Sequence, residues 1–373
     1  MGGYGVDGDK DIIVGCGVYH LGGMEHASSI SKIQLLSVIV PTRGRSKKLM
    51  NLFGALDQQC VTTRTPFEVF VVVDGEGDLP GGDYPFAFEI IRTMHVGAGA
   101  ARNLGIECAR GDAILLLNDD VIPSDGFIDA HVDALEAGHR AVLGDSAWVE
   151  PESPTAFDGF IAHSPAIFDQ RGLVDGQRYD FRYGWTLNLS IRREVIDGLA
   201  QVFDPAICPI YFEDIEFVYR CFGRDSEIVF CADARAVHDH RVSMREYFVR
   251  EVLLGMMSVV LYEANPACYR ELFERDPHVH GQVTREVLRL DVRDHRRALD
   301  RFVRLGTESV RMDDPVGQAM MLYDLHLPIK RRAFRVGLCA MCEQEVHWDQ
   351  RIERAGALLD GDPVLGMLGN RSV

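Results

Sequence analysis

The stretch Gly111-Asp-Ala-Ile-Leu-Leu-Leu-Asn-Asp-Asp120-Val-Ile-Pro123 decides how the rest of the chain is read. Ala113 to Leu117 is an unbroken apolar run of strand length, and a strand without polar alternation is one buried on both faces. The run stops at Asn118, Asp119 and Asp120. Pro123 then argues against simple continuation as a central strand, because proline cannot donate to the ladder. Acids at the end of a buried strand lie at a sheet edge, where open α/β sheets bind ligands. Adjacent carboxylates repel unless a cation is shared. Oxygen ligands suit Mg2+ or Mn2+, and such ions commonly carry phosphates. The stretch reads as a divalent ion holding a phosphorylated substrate. Asn and Asp are also ordinary turn formers, so a solvated acidic turn fits the same letters.

The 373 residues allow one large domain or two ordinary ones. With 39 basic against 56 acidic residues the formal net charge is -17, which argues against a general binder of nucleic acid or anionic membranes. The same field disfavours an anionic substrate, so a phosphate site needs a metal ion or placed arginines. No apolar run approaches transmembrane length, and the N-terminus lacks the basic and apolar regions of a secretory signal. Nine cysteines without framework spacing suit reduced thiols in a cytoplasmic protein.

Working outward, Leu35 to Pro41 is a buried first strand with Thr42-Arg-Gly-Arg45 as its exit loop. Leu49, Leu52, Phe53 and Leu56 give helical spacing over Lys48 to Gln59. Phe67 to Val73 is a second buried strand ending at Asp74, and Phe86 to Arg92 is a short third. Gly97 to Ala109 is a helix with a glycine-rich entry. It is not a dinucleotide fingerprint, since Arg102 stands where the third glycine belongs and the first strand does not precede it. Ala141 to Val149 and Ile228 to Cys231 are further strands, separated by a long irregular stretch over Glu150 to Asp180. Tyr211 to Arg220 reads as a helix whose first turn carries Glu213 and Asp214, where the helix dipole favours acids. Alternating strands and helices imply an α/β fold with a mostly parallel sheet. Thr42, Asp74 and Asn118 to Asp120 should then converge on one sheet edge.

Ser243 to Asn265 reads as one long helix, with an apolar core too short to span a bilayer. Val283 to Val310, Pro315 to Tyr323, Arg331 to Cys342 and Gln344 to Leu359 follow as helices, with Pro328 as an interruption. The expected organisation is an N-terminal extension over 1–34 (with short strands at Ile12 to Val14 and Val18 to Leu21), a catalytic domain over 35–243 and a helical region over 244–373. Cys339-Ala-Met-Cys342 with His347 lacks the second ligand pair of usual zinc sites, so buried free thiols on an apolar helix are expected.

From Leu36 to Met256 the ordered segments resemble a family 2 glycosyltransferase of the GT-A fold, which is a nucleotide-diphospho-sugar transferase fold. Ser37-Val-Ile-Val-Pro-Thr-Arg-Gly-Arg45 resembles the opening strand and loop, and Leu56-Asp-Gln-Gln59 the end of the first helix. Val71-Val-Val-Asp-Gly75 resembles the strand whose terminal acid binds the nucleotide base. Gly97 to Ile106, with Ala101-Arg-Asn103 inside it, resembles the loop and helix below the nucleotide. Leu117-Asn-Asp-Asp-Val121 resembles the metal-binding DxD element, Trp185-Thr-Leu-Asn-Leu-Ser-Ile-Arg192 the acceptor-side segment, Phe212-Glu-Asp214 the motif of the catalytic base and Val237-His238 the late histidine of the metal site. The chain departs from the pattern at Asn118, where the first acid of DxD is expected, and at Asp74-Gly-Glu-Gly-Asp78.

The resemblance implies inverting, metal-dependent transfer of a sugar from a nucleotide-sugar donor, with UDP as the expected nucleotide, to an acceptor hydroxyl. Asp214 is the expected general base, with Glu213 as fallback. Asp120, Asp119 and His238 or His240 would hold Mn2+ or Mg2+. Imidazole suits Mn2+ better, although both histidines also read as ordinary loop residues. Pro41, Thr42, Arg43, Arg45, Asp74, Gly97, Arg102, Asn103, Asn118, Asp119 and Trp185 are the expected donor-site residues, with Trp185 fitting a sugar face or the core equally. The helical region would close the acceptor pocket or form a homodimer surface. Two alternatives are a GT-A-like nucleotidyltransferase, against which Glu213 and Asp214 speak, and a non-catalytic nucleotide-sugar-binding protein, suggested by Asn118.

Overall fold

Leu36–Thr42 (β1) is apolar at most positions, and all but one of its residues are buried. It pairs in parallel with Phe67–Asp74 (β2) on one side and Ala113–Leu117 (β4) on the other. Ala87–Thr93 (β3) lies outside β2, also parallel. The computed structural model describes residues 31–369 apart from 78, 80–82, 169, 208–210, 274–275, 278–287, 289–291 and 344–350. The strands read at Ile12 to Val14 and Val18 to Leu21, and His347, lie outside the described residues. Helices Ser46–Thr62 (α1) and Ala98–Cys108 (α2) follow β1 and β3. Parallel strands require such crossovers, and these place the C-terminal ends of β1, β2 and β4 side by side.

Beyond β4 the sheet is mixed, in the order β3-β2-β1-β4-β8-β6-β9-β5. Asn188–Arg192 (β8) runs antiparallel between β4 and Ala141–Trp148 (β6). Ile228–His238 (β9) runs parallel to β6, and Arg178–Tyr179 (β7) pairs with it. The segment after the acids, Val121–Pro123 (β5), is a three-residue strand antiparallel to β9. Pro123 is tolerated there because β5 ends the strand order and has one neighbour only. Phe127–Glu136 (α3) follows it.

The stretch read as irregular holds a helix, Ala156–His163 (α4). Thr155 caps it by accepting from the Asp158 N–H, while Asp158 Oδ2 accepts from the Thr155 N–H at 2.8 Å. Asp in place of the usual Glu or Gln at the third position hid this capping box. Arg193–Ile196 (α5) and Glu213–Phe222 (α6) complete the sheet layer. Then come Met244–Ala264 (α7), Pro266–Phe273 (α8), Val292–Gly306 (α9), Pro315–Glu343 (α10) and Arg351–Gly361 (α11). Contrary to the sequence reading, α10 runs unbroken through Pro328. Leu322, Ile329 and Ala333 around the proline are all fully buried, so packing on both sides offsets the lost hydrogen bond.

One hydrophobic core fills both faces of the sheet; a second is formed by α4, α7 and the C-terminal helices. Helix α7 joins them, since Phe248, Val252 and Met256 belong to the helical core and Leu261 to the sheet core. Gly255 of α7 and Gly337 of α10 let these two helices cross at backbone contact. A Cβ on Gly337 would collide with the Val252 carbonyl, and one on Gly255 with the Phe334 carbonyl.

Candidate active site

The end of β4 brings its acids to the exit of β1, as parallel neighbours must. Asp119 accepts from Thr42 Oγ1 at 2.6 Å and from Arg45 Nε at 3.0 Å, and Arg45 Nη2 also donates to its other oxygen. The same guanidinium lies 3.0 Å from Asp120 Oδ2. Arg45 therefore bridges both carboxylates, and this cation relieves their mutual repulsion. Thr42 Oγ1 also accepts from the Gly44 N–H at 3.0 Å, which fixes the loop that carries Arg45.

The pairing of β5 with β9 sets His238 opposite Val121 and so beside Asp120. His238 Nε2 is 3.4 Å from Asp120 Oδ1, and His240 Nδ1 is 3.6 Å from Asp120 Oδ2. His238 is buried and lies against the Trp148 ring at 4.5 Å, while His240 is more exposed. Burial works against an ionised Asp120. The neighbouring His238, Arg45 and His240 outweigh it and hold the carboxyl well below the usual carboxylate range. Asp120 Oδ1 and His238 Nδ1 are buried without a hydrogen-bond partner. Among the described residues no three His, Cys, Asp or Glu side chains close around one point. One unsatisfied carboxylate oxygen facing an imidazole nitrogen is nonetheless a donor set that suits Mn2+. The residues fit such an ion at Asp120 provided Arg45 gives way.

Arg102 extends the site to α6. Its Nη2 donates to Asn118 Oδ1 at 3.1 Å and its Nη1 to Glu213 Oε1 at 3.2 Å, and the side chain is buried. Glu213 opens α6 after two residues in left-handed backbone, Tyr211 (φ 60°) and Phe212 (φ 64°). Such conformations are costly for bulky residues, which is typical of functional turns. Burial, with Asp214 adding to it, pushes Glu213 up to about 7 against the pull of Arg102. Burial raises Asp214 as well, opposed by the Ile215 N–H at 2.8 Å and by the charges of Arg102 and Arg250. Two carboxylates whose proton affinity is raised by burial, beside an arginine, form a suitable proton acceptor.

The structure thus gathers Thr42, Arg45, Arg102, Asn118, Asp119, Asp120, His238, His240 and Glu213 through direct contacts, with Asp214 beside Glu213. Other expected donor residues are employed differently. Asp74 accepts from the N–H groups of Val96 and Gly97 at 2.8 and 2.9 Å, which fixes the entry to α2 (Gly97, φ 87°). Asn103 is a backbone clamp. Its amide exchanges hydrogen bonds with the Phe203 N–H and C=O, both at 2.8 Å. Trp185 is core, 7% exposed and packed on Phe168 and Tyr183. Pro41 is half-buried in β1, and Arg43 is exposed. Sequence reading missed Trp148 behind His238, and Lys48 paired to Asp239 at 2.9 Å. It also missed Arg250, which lies 5.6 Å over the Tyr211 ring. These contacts join segments distant in sequence, and no local motif announces them.

A sheet whose parallel half ends in a DxD-like element, followed by an antiparallel insertion and a carboxylate-bearing helix, is the GT-A fold of sugar transferases. Residues 37–197 match the family model Glycosyl transferase family 2. A chondroitin synthase of Pasteurella multocida (strain Pm70) is 24% identical over 281 residues, 66% of this chain and 29% of its own length. A pre-mycofactocin glycosyltransferase of Mycobacterium tuberculosis (strain CDC 1551 / Oshkosh) is 24% identical over 238 residues, 62% of this chain and 48% of its own length. The chain therefore spans less than half the length of these relatives. The crystal structure of S. aureus TarS 1-349 in complex with UDP-GlcNAc aligns at 16% identity with a TM-score of 0.40, covering 91% of this chain and 93% of that one.

Proposed function

We propose that the chain transfers a sugar from a nucleotide-sugar donor, UDP-linked by motif resemblance, to an acceptor hydroxyl with inversion. The observation that carries this reading is the Arg102 bridge from Asn118 to Glu213, which joins the strand end suited to a diphosphate to a carboxylate pair suited to a hydroxyl proton. The relatives' names, a synthase of chondroitin and a glycosyltransferase, agree with sugar transfer.

In this reading the acceptor oxygen attacks the anomeric carbon from the face opposite the nucleotide. The sugar–phosphate bond breaks with its electrons going to the diphosphate, and Asp214 takes the hydroxyl proton. Asp214 is chosen over Glu213 because Glu213 is tied to Arg102, whereas Asp214 accepts from backbone N–H of its own turn, that of Ile215 at 2.8 Å. Asp120 with His238, and Asp119 or His240 completing the set, would hold Mn2+ or Mg2+. Such an ion supplies positive charge to the leaving diphosphate. Arg45, once displaced from the carboxylates, is positioned to meet the phosphates and offset the net charge of -17.

The test is Asp214→Asn. Turnover should fall by about 100- to 10,000-fold, the usual contribution of a general base, while nucleotide affinity stays. Full turnover in this variant would remove Asp214 from the role.

A further inference from the structure

Asn118 departs from the pattern its segment resembles, and its neighbour Arg102 has more to hold than one charge can satisfy. Arg102 is 4% exposed. It donates to a neutral amide on the donor side and to a carboxylate on the acceptor side. Arg102 Nε and Glu213 Oε2 are both buried without a partner. A guanidinium this buried divides its charge among whatever anions touch it. With an amide at position 118, one carboxylate remains in contact.

We propose that Asn118 and Arg102 are positioning residues for the proton-accepting pair: the neutral amide orients Arg102 while leaving its charge to Glu213, so that Asp214 is the carboxylate free to meet the acceptor. The inference rests on the glycosyl-transfer reading and adds a role for the departure at Asn118. Asn118 lies at the end of β4, one residue from Asp119. It therefore also links what happens under the donor to the charge on α6, through a single side chain.

The groups facing the pair are few. Arg102 reaches it from α2, Arg250 from α7 and the Tyr211 ring from the preceding turn. Glu251 stands behind Arg250 at 2.7 Å. Asn118→Asp keeps the side-chain shape and adds a second carboxylate to Arg102. Glu213 and Asp214 then lose part of their counter-charge and gain a like charge nearby, and both effects disfavour ionisation.

The acid limb of kcat/KM in Asn118→Asp should move up by about one pH unit. Arg102→Gln should move it the same way, and Arg102→Lys should restore most of the shift. Adding Asn118→Asp to Arg102→Gln should then change little. A second measurement needs no substrate: the 13C titration of the Glu213 carboxyl, assigned by its loss in Glu213→Gln, should shift upward in Asn118→Asp. Unmoved limb and unmoved titration would overturn the proposal, as would an equal shift with and without Arg102. A wild-type protein that binds nucleotide-sugars and turns over none would count against the transfer reading alone, because the titration would still decide the role of Asn118.

Discussion

Arg45 is the resident cation of the acidic strand end, since its guanidinium spans Asp119 and Asp120. A divalent ion at Asp120 competes with it. Arg45→Ala should therefore raise the Mn2+ affinity of the nucleotide-free protein by about tenfold, or ~1.4 kcal/mol; unchanged affinity in calorimetry would show that the two cations do not compete. Asp120→Ala should abolish metal-dependent nucleotide binding in the same experiment. At the start of α6, burial pushes Glu213 up to about 7 and raises Asp214 too, so Glu213 takes up its proton as the pH falls through neutrality. In the proposed transfer the active form is ionised, and kcat/KM should decline below roughly pH 7, where ordinary carboxylates would hold activity down to about pH 4. The meeting of Asp119, Asp120 and His238 in space was legible because each sits within a short ordered motif. The clamp made by Asn103 within the motif Ala101-Arg-Asn103 was not legible: its partner Phe203 is 100 residues away, and no local pattern reports such a pair. Asn103→Ala should cost about 1–3 kcal/mol of stability by orphaning buried backbone groups, and leave nucleotide affinity intact.

At the scale of elements, the sheet was readable where strands are buried on both faces. β4 is a continuous apolar run, β1 and β2 are apolar apart from Ser37, Glu68 and their polar last residues, and their parallel pairing follows from the helices between them. The antiparallel half was less readable. β5 has three residues and β7 two, so neither carries a periodic signal, yet the pairing of β5 with β9 is what brings His238 to Asp120. α10 was misread for the opposite reason: Pro328 is a strong local signal that burial of Ile329 and Ala333 overrides. The crossing of α7 and α10 depends on glycine where the backbones meet. Gly337→Ala gains helix propensity but forces a methyl group into the Val252 carbonyl. The variant should be destabilised by about 1–3 kcal/mol, as for other overpacked contacts, read as a lower urea midpoint. A stabilised variant would mean that the helices can separate without loss.

Across the whole molecule, the sheet domain and a helical layer share helix α7, which passes from one hydrophobic core to the other. Through Arg250 over Tyr211 that helix also touches the turn that presents Glu213 and Asp214. The helical layer is thus in contact with the turn that opens α6. Among the described residues no helix is long and apolar enough to cross a membrane. With a net charge of -17 the molecule offers no general attraction to a phosphorylated donor. In the proposed reading donor binding comes from local cations, Arg45 and a divalent ion at Asp120, and this is the central claim. It is tested most directly by thermal unfolding with UDP-, GDP- and dTDP-sugars, each with and without Mn2+. A ligand at 100 times its Kd stabilises the native state by about 2.7 kcal/mol. The account predicts a rise in Tm with one nucleotide class, UDP first, that requires Mn2+ and disappears in Asp120→Ala. No rise with any nucleotide-sugar, or a rise indifferent to both Mn2+ and Asp120, would contradict it.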